Sequence, residues 1–378
     1  MKSKTILILG GYGQVGTEAA RLLLLESGAD LLIAGRNRQK AEQTATALNR
    51  QFPGERVKGA CCDAADRKSL EPLFREARLV LVCSSTAKHT HLIAETAISC
   101  GTDYMDIHFG AAVFNELKKM EPAIKKAGRC FITGGGFHPG LPALLIRYAA
   151  GFFDEILSAR VAGLMNIDFS SYRAGESTQE EFVDELADYQ GRYYKKGRWK
   201  KMNMLTGQGI IKAGFGKGYG NKYCAPFFLE ELRSLPQLYP QLKDCGFFIA
   251  GFNRVTDYFI MPLVMLGHKI LPVFLRPSLS RLLTGSMKKY SRPPYGYVLT
   301  CDAEGRKYGQ QKKWSLRMEH QDPSFITAVP VVAFLKQYLS GETDQPGLWL
   351  QAMAAEPRRM IQDMGRMGLK MIIKESGK

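Results

Sequence analysis

The chain has 378 residues, 45% of them hydrophobic and 23% charged, with a formal net charge of +16. That length accommodates two domains with sizeable cores, and the composition is that of an ordinary globular protein rather than a disordered or fibrous one. Eight cysteines without CxxC or CxxC–HxxxH spacing speak against a disulfide framework and against a zinc site, and fit reduced thiols.

The run Thr5-Ile6-Leu7-Ile8-Leu9 reads as a short buried strand, and a helix-like run follows from Thr17 to Glu26. An apolar run this short, ending in glycines, is not a signal-peptide core, so a cytoplasmic protein is expected. Between strand and helix, Gly11, Gly13 and Gly16 stand at G-x-G-x-x-G spacing, with Tyr12, Gln14 and Val15 in the intervening positions. The first glycine allows a tight turn, the second lets backbone approach a pyrophosphate, and the third lets helix and strand pack closely. The helix N-terminus then offers its free N–H groups and positive dipole end to the phosphates. All six residues are candidate dinucleotide contacts.

A second strand, Asp30 to Ala34, ends where an NAD-binding protein places an acid on the ribose 2′-hydroxyl. Here Gly35-Arg36-Asn37-Arg38 follows instead, without a carboxylate. Arg36 can pair with a 2′-phosphate and stack on adenine, with Asn37 and Arg38 beside it, so the expected cofactor is NADP(H). The bland alternative makes the arginines solvated charges and Asn37 a helix N-cap.

Strands and helices continue to alternate: helix Arg38–Arg50, strand Arg56–Cys61, helix Lys68–Glu76 behind Asp66 as N-cap, strand Leu79–Cys83, helix His89–Cys100, strand Tyr104–Ile107, helix Ala112–Ala127 and strand Arg129–Thr133. This is the pattern of a doubly wound parallel sheet, a Rossmann domain expected over residues 1–136. Ligands bind beyond the C-terminal ends of such strands. The residues there are Asp63 and Ala64, then Cys83 to Thr86 (with Ser84 and Ser85 along the ribose and nicotinamide path), then Asp106 to Phe109, then Gly134 to Gly140. Asp63 either bonds the adenine amino group or caps the next turn.

After Phe137 the alternation fades, and a second, mixed α+β domain is expected over 137–325. It begins with helix Leu141–Phe152 and strand Ile156–Leu164, and has a helix-like run from Gln179 to Tyr189. Tyr295–Cys301 and Lys312–Glu319 read as an antiparallel pair around a turn at Asp302-Ala303-Glu304-Gly305. Residues 326–378 read as two closing helices, Phe325–Ser340 and Glu356–Lys370, joined by a loop with Pro346 and Gly347.

Two stretches of the second half invite partners. Between Asp188 and Glu230 there is no acid, while Arg192, Lys195, Lys196, Arg198, Lys200 and Lys201 cluster among Tyr193, Tyr194 and Trp199. No nucleic-acid motif accompanies them, so a solvated face or one that steers an anionic small-molecule substrate is expected, and not nucleic acid. Phe259 to Leu275 is the most apolar stretch, but His268-Lys269 and Pro272 interrupt it before spanning length. Packing between subunits or onto the second domain is expected; peripheral membrane contact through 259–289 is the alternative.

The motif Gly10-Gly11-Tyr12-Gly13-Gln14-Val15-Gly16 resembles the saccharopine dehydrogenase family. So do Gly101-Thr102-Asp103-Tyr104-Met105-Asp106, the turn Gly134-Gly135-Gly136-Phe137-His138-Pro139-Gly140, and the tail with Tyr308, Thr327-Ala328, Gly341 and Pro346-Gly347. The resemblance implies an aspartate ending the fifth strand, a G-F-x-P-G turn into the second domain, and final helices packed back on the Rossmann domain. It also implies a cleft between domains, a homodimer through the second sheet, and reduction of an imine formed from an amine and a keto acid.

Hydride transfer asks the protein to position the nicotinamide against an electrophile and to manage one proton. His108 and His138 follow strands five and six, where each is expected to exchange a proton near neutral pH. Asp106 is expected to hold a cationic amine or orient His108; a structural acid is the plain alternative. The absence of nucleophile-elbow, HExxH and P-loop motifs removes hydrolase, zinc-protease and NTPase readings. The expected function is an NADP(H)-dependent oxidoreductase acting on a C=N or C=O bond of a small or amphipathic substrate. An enoyl reductase and a non-catalytic NADPH-binding regulator stay open.

Overall fold

Strands with no polar alternation are buried on both faces, and the centre of the first sheet is built from them. The computed structural model describes residues 4–168, 189–203, 206–253, 255–270 and 276–377. Its contacts divide the chain into two units, Met1–Leu144 with Ser324–Gly368, and Leu145–Pro323 with Leu369–Lys378.

In the first unit, β1 (Thr5–Leu9), α1 (Gln14–Glu26), β2 (Asp30–Gly35), α2 (Arg38–Gln51), β3 (Val57–Cys61), α3 (Arg67–Glu76), β4 (Leu79–Val82), α4 (Thr90–Cys100), β5 (Asp103–Asp106), α5 (Ala111–Lys126) and β6 (Cys130–Thr133) follow the expected alternation. All strands are parallel, and those six lie in the order β6-β5-β4-β1-β2-β3. Every residue of β4, β5 and β6 is buried. Asp66 caps α3 as expected, its carboxylate accepting from Lys68 N. Gly101 ends α4 in the left-handed conformation (φ +70°) that favours glycine.

α6 (Pro142–Ala150) leads into the second unit. That unit holds β7 (Glu155–Asn166), β8 (Arg192–Lys195), β9 (Arg198–Lys201), β10 (Ile211–Gly214), β11 (Asn221–Phe227), β12 (Asp244–Ala250), α7 (Met261–Ile270), α8 (Arg276–Tyr290), β13 (Gly296–Lys307) and β14 (Gln310–His320). The C-terminal part supplies α9 (Pro323–Leu339), β15 (Gly347–Leu350), α10 (Pro357–Arg366) and β16 (Lys370–Gly377). The second sheet runs β10-β11-β12-β7-β13-β14-β16, with the β8–β9 hairpin attached to β12. Among the described residues only β12 and β7 pair in parallel there, so the sheet is mixed.

Four expectations change. The hairpin between β13 and β14 turns at Tyr308-Gly309, whose φ angles of +51° and +75° suit a two-residue turn that follows the strand twist. Asp302 to Gly305 lie inside β13 instead. Gly305 sits at a register shift where a Cβ would stand 2.3 Å from Glu155 O, so it marks a bulge and not a turn. The stretch read as a loop around Gly347 contributes β15, a seventh parallel strand paired with β6; four residues behind Pro346 carry no periodicity to announce it. The second closing helix stops at Arg366, Gly368 follows at φ +101°, and Lys370–Gly377 become a strand against β14. Residues 369–378 therefore belong to the second unit and not to the helices that return to the first. The helix-like run Gln179–Tyr189 lies outside the described residues except for Tyr189.

α9 is apolar on nearly all sides and buried, as such a helix must be. It is tied into the first unit by Tyr338, whose hydroxyl donates to Asp103 Oδ2 at 2.6 Å while Arg78 lies 4.6 Å over its ring. All eight cysteines are free, and among the described residues no cluster of His, Cys, Asp or Glu could hold a metal.

Candidate cofactor and active site

β1 delivers its last residue, Leu9, to a turn held by backbone hydrogen bonds, to which Thr17 Oγ1 adds one by donating to Gly11 O at 3.1 Å. Gly10 N donates to Ala34 O at 2.8 Å, Gly11 N to Ile8 O at 3.1 Å and Gly13 N to Gly10 O at 2.9 Å. A Cβ on Gly16 would meet Gly10 O at 2.4 Å and Gly11 Cα at 2.8 Å, so helix and loop touch through backbone. A Cβ on Gly13 meets only Gly10 O, at 3.1 Å, which leaves its other side open for an incoming group. Gly13 precedes the first turn of α1, which has no capping side chain and no acid. The N-terminal N–H groups are thus available to an anion.

Tyr12 does something the sequence did not announce. Its ring packs on Gly35, where a Cβ would lie 2.6–2.8 Å from it, and its hydroxyl accepts from Asn37 N at 3.2 Å. The tyrosine therefore braces the glycine turn against the loop after β2. In that loop Asn37 caps α2, its Oδ1 accepting from Lys40 N at 2.9 Å. Arg38 pairs with Glu42 at 3.2 Å. Arg36 is exposed and has no ion-pair or hydrogen-bond partner for its guanidinium among the described residues. Of the three, only Arg36 presents a cation unengaged by the protein. Asp63 takes the turn-forming role, its Oδ1 accepting from Ala65 N at 3.0 Å, and Ala64 lies within that turn.

At the end of β4, Cys83 N donates to Leu9 O at 2.8 Å, which sets this strand end beside the glycine turn. Burial pushes the Cys83 thiol up to about 12, so it carries no charge at neutral pH. Ser84 Oγ lies 3.1 Å from Thr86 Oγ1, and a Cβ on Gly10 would strike Ser84 at 2.8 Å. Ser85 lies between them, on the segment connecting to α4.

The end of β5 carries the densest chemistry. Asp106 is fully buried, and its Oδ1 accepts from His108 N at 3.0 Å and Gly134 N at 3.2 Å. Burial raises its carboxyl above the usual range, against the opposing pull of His108 and of the Thr133 and Tyr104 side chains. Among the described residues, its Oδ2 and the Nε2 of buried His108 form no hydrogen bond. Gly135 N donates to Asp106 O at 2.9 Å, so the glycine turn after β6 is clasped to the end of β5. The Phe109 and His138 rings meet edge-on with centroids 6.1 Å apart, which brings both histidine-bearing segments together. His138 departs from expectation: burial pulls its imidazole down to about 4, so it is neutral across the range where it was expected to titrate.

Sequence reasoning missed Gln351. It is fully buried on the segment after β15, its Oε1 accepts from Gly136 N at 3.4 Å, and its Nε2 lies 2.7 Å from where a Gly140 Cβ would stand. A separation of more than two hundred residues left no local signal for it.

The glycine cradle that a single Cβ would fill, the uncapped α1 terminus and the free Arg36 guanidinium fit a dinucleotide with a 2′-phosphate. Residues 6–132 match the family model described as the saccharopine dehydrogenase NADP binding domain. Over 403 aligned residues the chain is 22% identical to carboxyaminopropylagmatine dehydrogenase of Synechocystis sp., with 96% of each chain covered. It is 24% identical over 390 residues to carboxynorspermidine synthase of Vibrio cholerae, covering 90% of this chain and 89% of that one. In fold it is similar to apo saccharopine dehydrogenase (L-Glu forming) of Saccharomyces cerevisiae, with a TM-score of 0.69, 13% identity, and 98% and 99% of the two chains covered. The class so defined is the NADP-dependent oxidoreductases built on a Rossmann domain with a mixed second sheet. Within it, the similarity is to the saccharopine dehydrogenase family, whose NADP binding domain residues 6–132 match. No helix is long and apolar enough to cross a membrane among the described residues.

Proposed function

We propose that the protein reduces a C=N bond formed between an aminoalkyl amine and a carboxyl-bearing carbonyl compound, yielding a secondary amine. The relatives' names, carboxyaminopropylagmatine dehydrogenase and carboxynorspermidine synthase, support a carboxylated, polyamine-like product. NADPH supplies the hydride to the imine carbon, and a proton must reach the nitrogen.

The observation that carries this reading is the buried Asp106–His108 pair beside the glycine turn, whose Oδ2 and Nε2 have no hydrogen bond among the described residues. A buried acid attracts a cationic nitrogen, because pairing restores what desolvation took away. Asp106 is given the role of holding the protonated nitrogen and fixing the 106–108 turn. His108, through Nε2, is given the proton. Neutral His138 and its aromatic neighbours line the site and limit water. Gly11 to Gly16 hold the pyrophosphate in this reading, Arg36 the 2′-phosphate, and Ser84 to Thr86 the ribose side.

The test follows NADPH oxidation by absorbance with a diamine or triamine, a keto acid or carboxylated aldehyde, or both. Oxidation only when both are present, with a product heavier by the joined partners less water plus two hydrogens, is expected. Turnover of an enoyl thioester without turnover of the amine–carbonyl pairs would refute it. So would tight NADPH binding with no oxidation by either, which describes a regulator.

A further inference from the structure

The helical pair of the second unit carries a surface that the reduction chemistry does not use. Thr256–Ile260 forms a π-type turn that runs on into α7. One side of this stretch packs on α8, with Val264 against Leu279, Leu283 and Met287. The other side is open: Phe259 is 72% exposed, Leu263 54%, Leu266 56% and Ile270 68%. Their spacing of four, three and four places them on one helical stripe. Pro262 is the remaining exposed residue described on this stretch, so among the described side chains the exposed face holds no polar one. Single exposed leucines are normal; a continuous stripe of large apolar residues is not.

Charge decides what covers it. From Tyr258 to Cys301 the sequence contains no Asp or Glu. The neighbouring helix exposes Lys288 and Lys289, and Arg292 follows directly. None of these three makes an ion pair among the described residues; Lys289 rests over the Tyr290 ring at 5.4 Å. A second copy of this surface would bring cations toward cations. A bilayer with acidic headgroups matches both parts, accepting the apolar stripe between acyl chains and the lysines at its phosphates. The ten described residues of α7 are far too few to span, which leaves an orientation along the interface for a docked helix.

We propose that the α7–α8 face docks the protein onto an anionic membrane surface, with Phe259, Leu263, Leu266 and Ile270 inserted and Lys288, Lys289 and Arg292 on the headgroups.

The experiment is flotation of the full chain with vesicles of phosphatidylcholine alone and of phosphatidylcholine with about one-third phosphatidylglycerol, a fraction that supplies the negative surface potential. Binding to the acidic vesicles only is expected. Leu263→Glu with Leu266→Glu should lower the partition by about tenfold or more, since each change removes an exposed apolar side chain that would insert and adds a charge of the headgroups' own sign. Lys288→Gln with Lys289→Gln, which leaves the apolar stripe untouched, should weaken binding and its salt dependence. NADPH affinity and melting temperature, measured on each variant, report folding. Absence of binding to acidic vesicles overturns the proposal, as does binding that the leucine and lysine variants leave unchanged. A wild-type dimer in light scattering that the leucine variant splits, without vesicle binding, overturns it in favour of a second copy.

Discussion

Gly13 and Gly16 look alike in the motif, but the structure separates what they do. A Cβ at Gly16 would stand 2.4 Å from Gly10 O, and ordinary contact begins near 3.4 Å, so loop and helix must part by roughly 1 Å. Both opposing atoms are backbone, so no side-chain rotation relieves the overlap. Overpacking of this kind costs about 1–3 kcal/mol, and in a unit of this size each kcal/mol lowers Tm by about 2–4 °C. Gly16→Ala should therefore melt about 2–12 °C lower in the absence of cofactor. Because the anion-binding N–H groups move with the loop, NADPH affinity should fall by about a hundredfold, as ångström-scale misplacement does elsewhere. At Gly13 the backbone (φ −76°, ψ 166°) suits any residue and the new contact is 3.1 Å, a few tenths too close. Gly13→Ala should keep Tm within about 2 °C, the small crowding being offset by a less flexible unfolded chain. It should nonetheless bind NADPH much more weakly, because the methyl occupies the side left open for the pyrophosphate. Calorimetric titration with NADPH and thermal melts of both variants make the comparison. If Gly13→Ala binds NADPH as the parent does, the turn does not cradle a diphosphate. If Gly16→Ala keeps its Tm, the contact is not as described.

Three further expectations follow from single side chains. Arg36→Ala should weaken NADPH about ten- to a hundredfold and leave NADH nearly unchanged, the loss of one charge-assisted bond to the 2′-phosphate; equal losses for both coenzymes would remove Arg36 from that role. His138 has a folded-state value of about 4, below the unfolded value near 6.5, so its neutral burial stabilises fully above pH 6.5. That stability is lost as pH falls from 6.5 toward 4, up to about 3 kcal/mol, and His138→Gln should flatten this slope in urea unfolding measured across the window. A slope that survives the substitution assigns it to other groups. Tyr338→Phe strands the buried Asp103 Oδ2 and should cost about 1–3 kcal/mol without changing NADPH affinity in the folded protein; an unchanged Tm would mean that water replaces the hydroxyl.

Much of the first unit was legible because its signals are local. Buried parallel strands read as unbroken apolar runs, Asp66 announced a cap, and the glycine spacing stood between a strand and a helix. The cofactor preference rested on which residue follows β2, again a local matter. Asn37 was ambiguous for a physical reason: the same side chain that can face a ribose also caps α2, and the backbone N–H of Lys40 takes it.

Pairing and burial were decided elsewhere. Nothing in Gly347-Leu348-Trp349-Leu350 says strand until β6 offers its free edge, and Lys370–Gly377 pairs only because β14 lies exposed beside it. Gly305 reads as a turn in sequence and is a bulge in space, since Glu155 O must approach where a side chain would be. His138 has an ordinary imidazole until burial strips its water and favours the neutral ring. The amino-acid order alone thus announced the first six strands, the helices between them and a glycine turn whose spacing suits an anion. Which edges meet, which polar atoms lose their water and which apolar stripe stays uncovered are properties of distant contacts, and only the tertiary structure decides those.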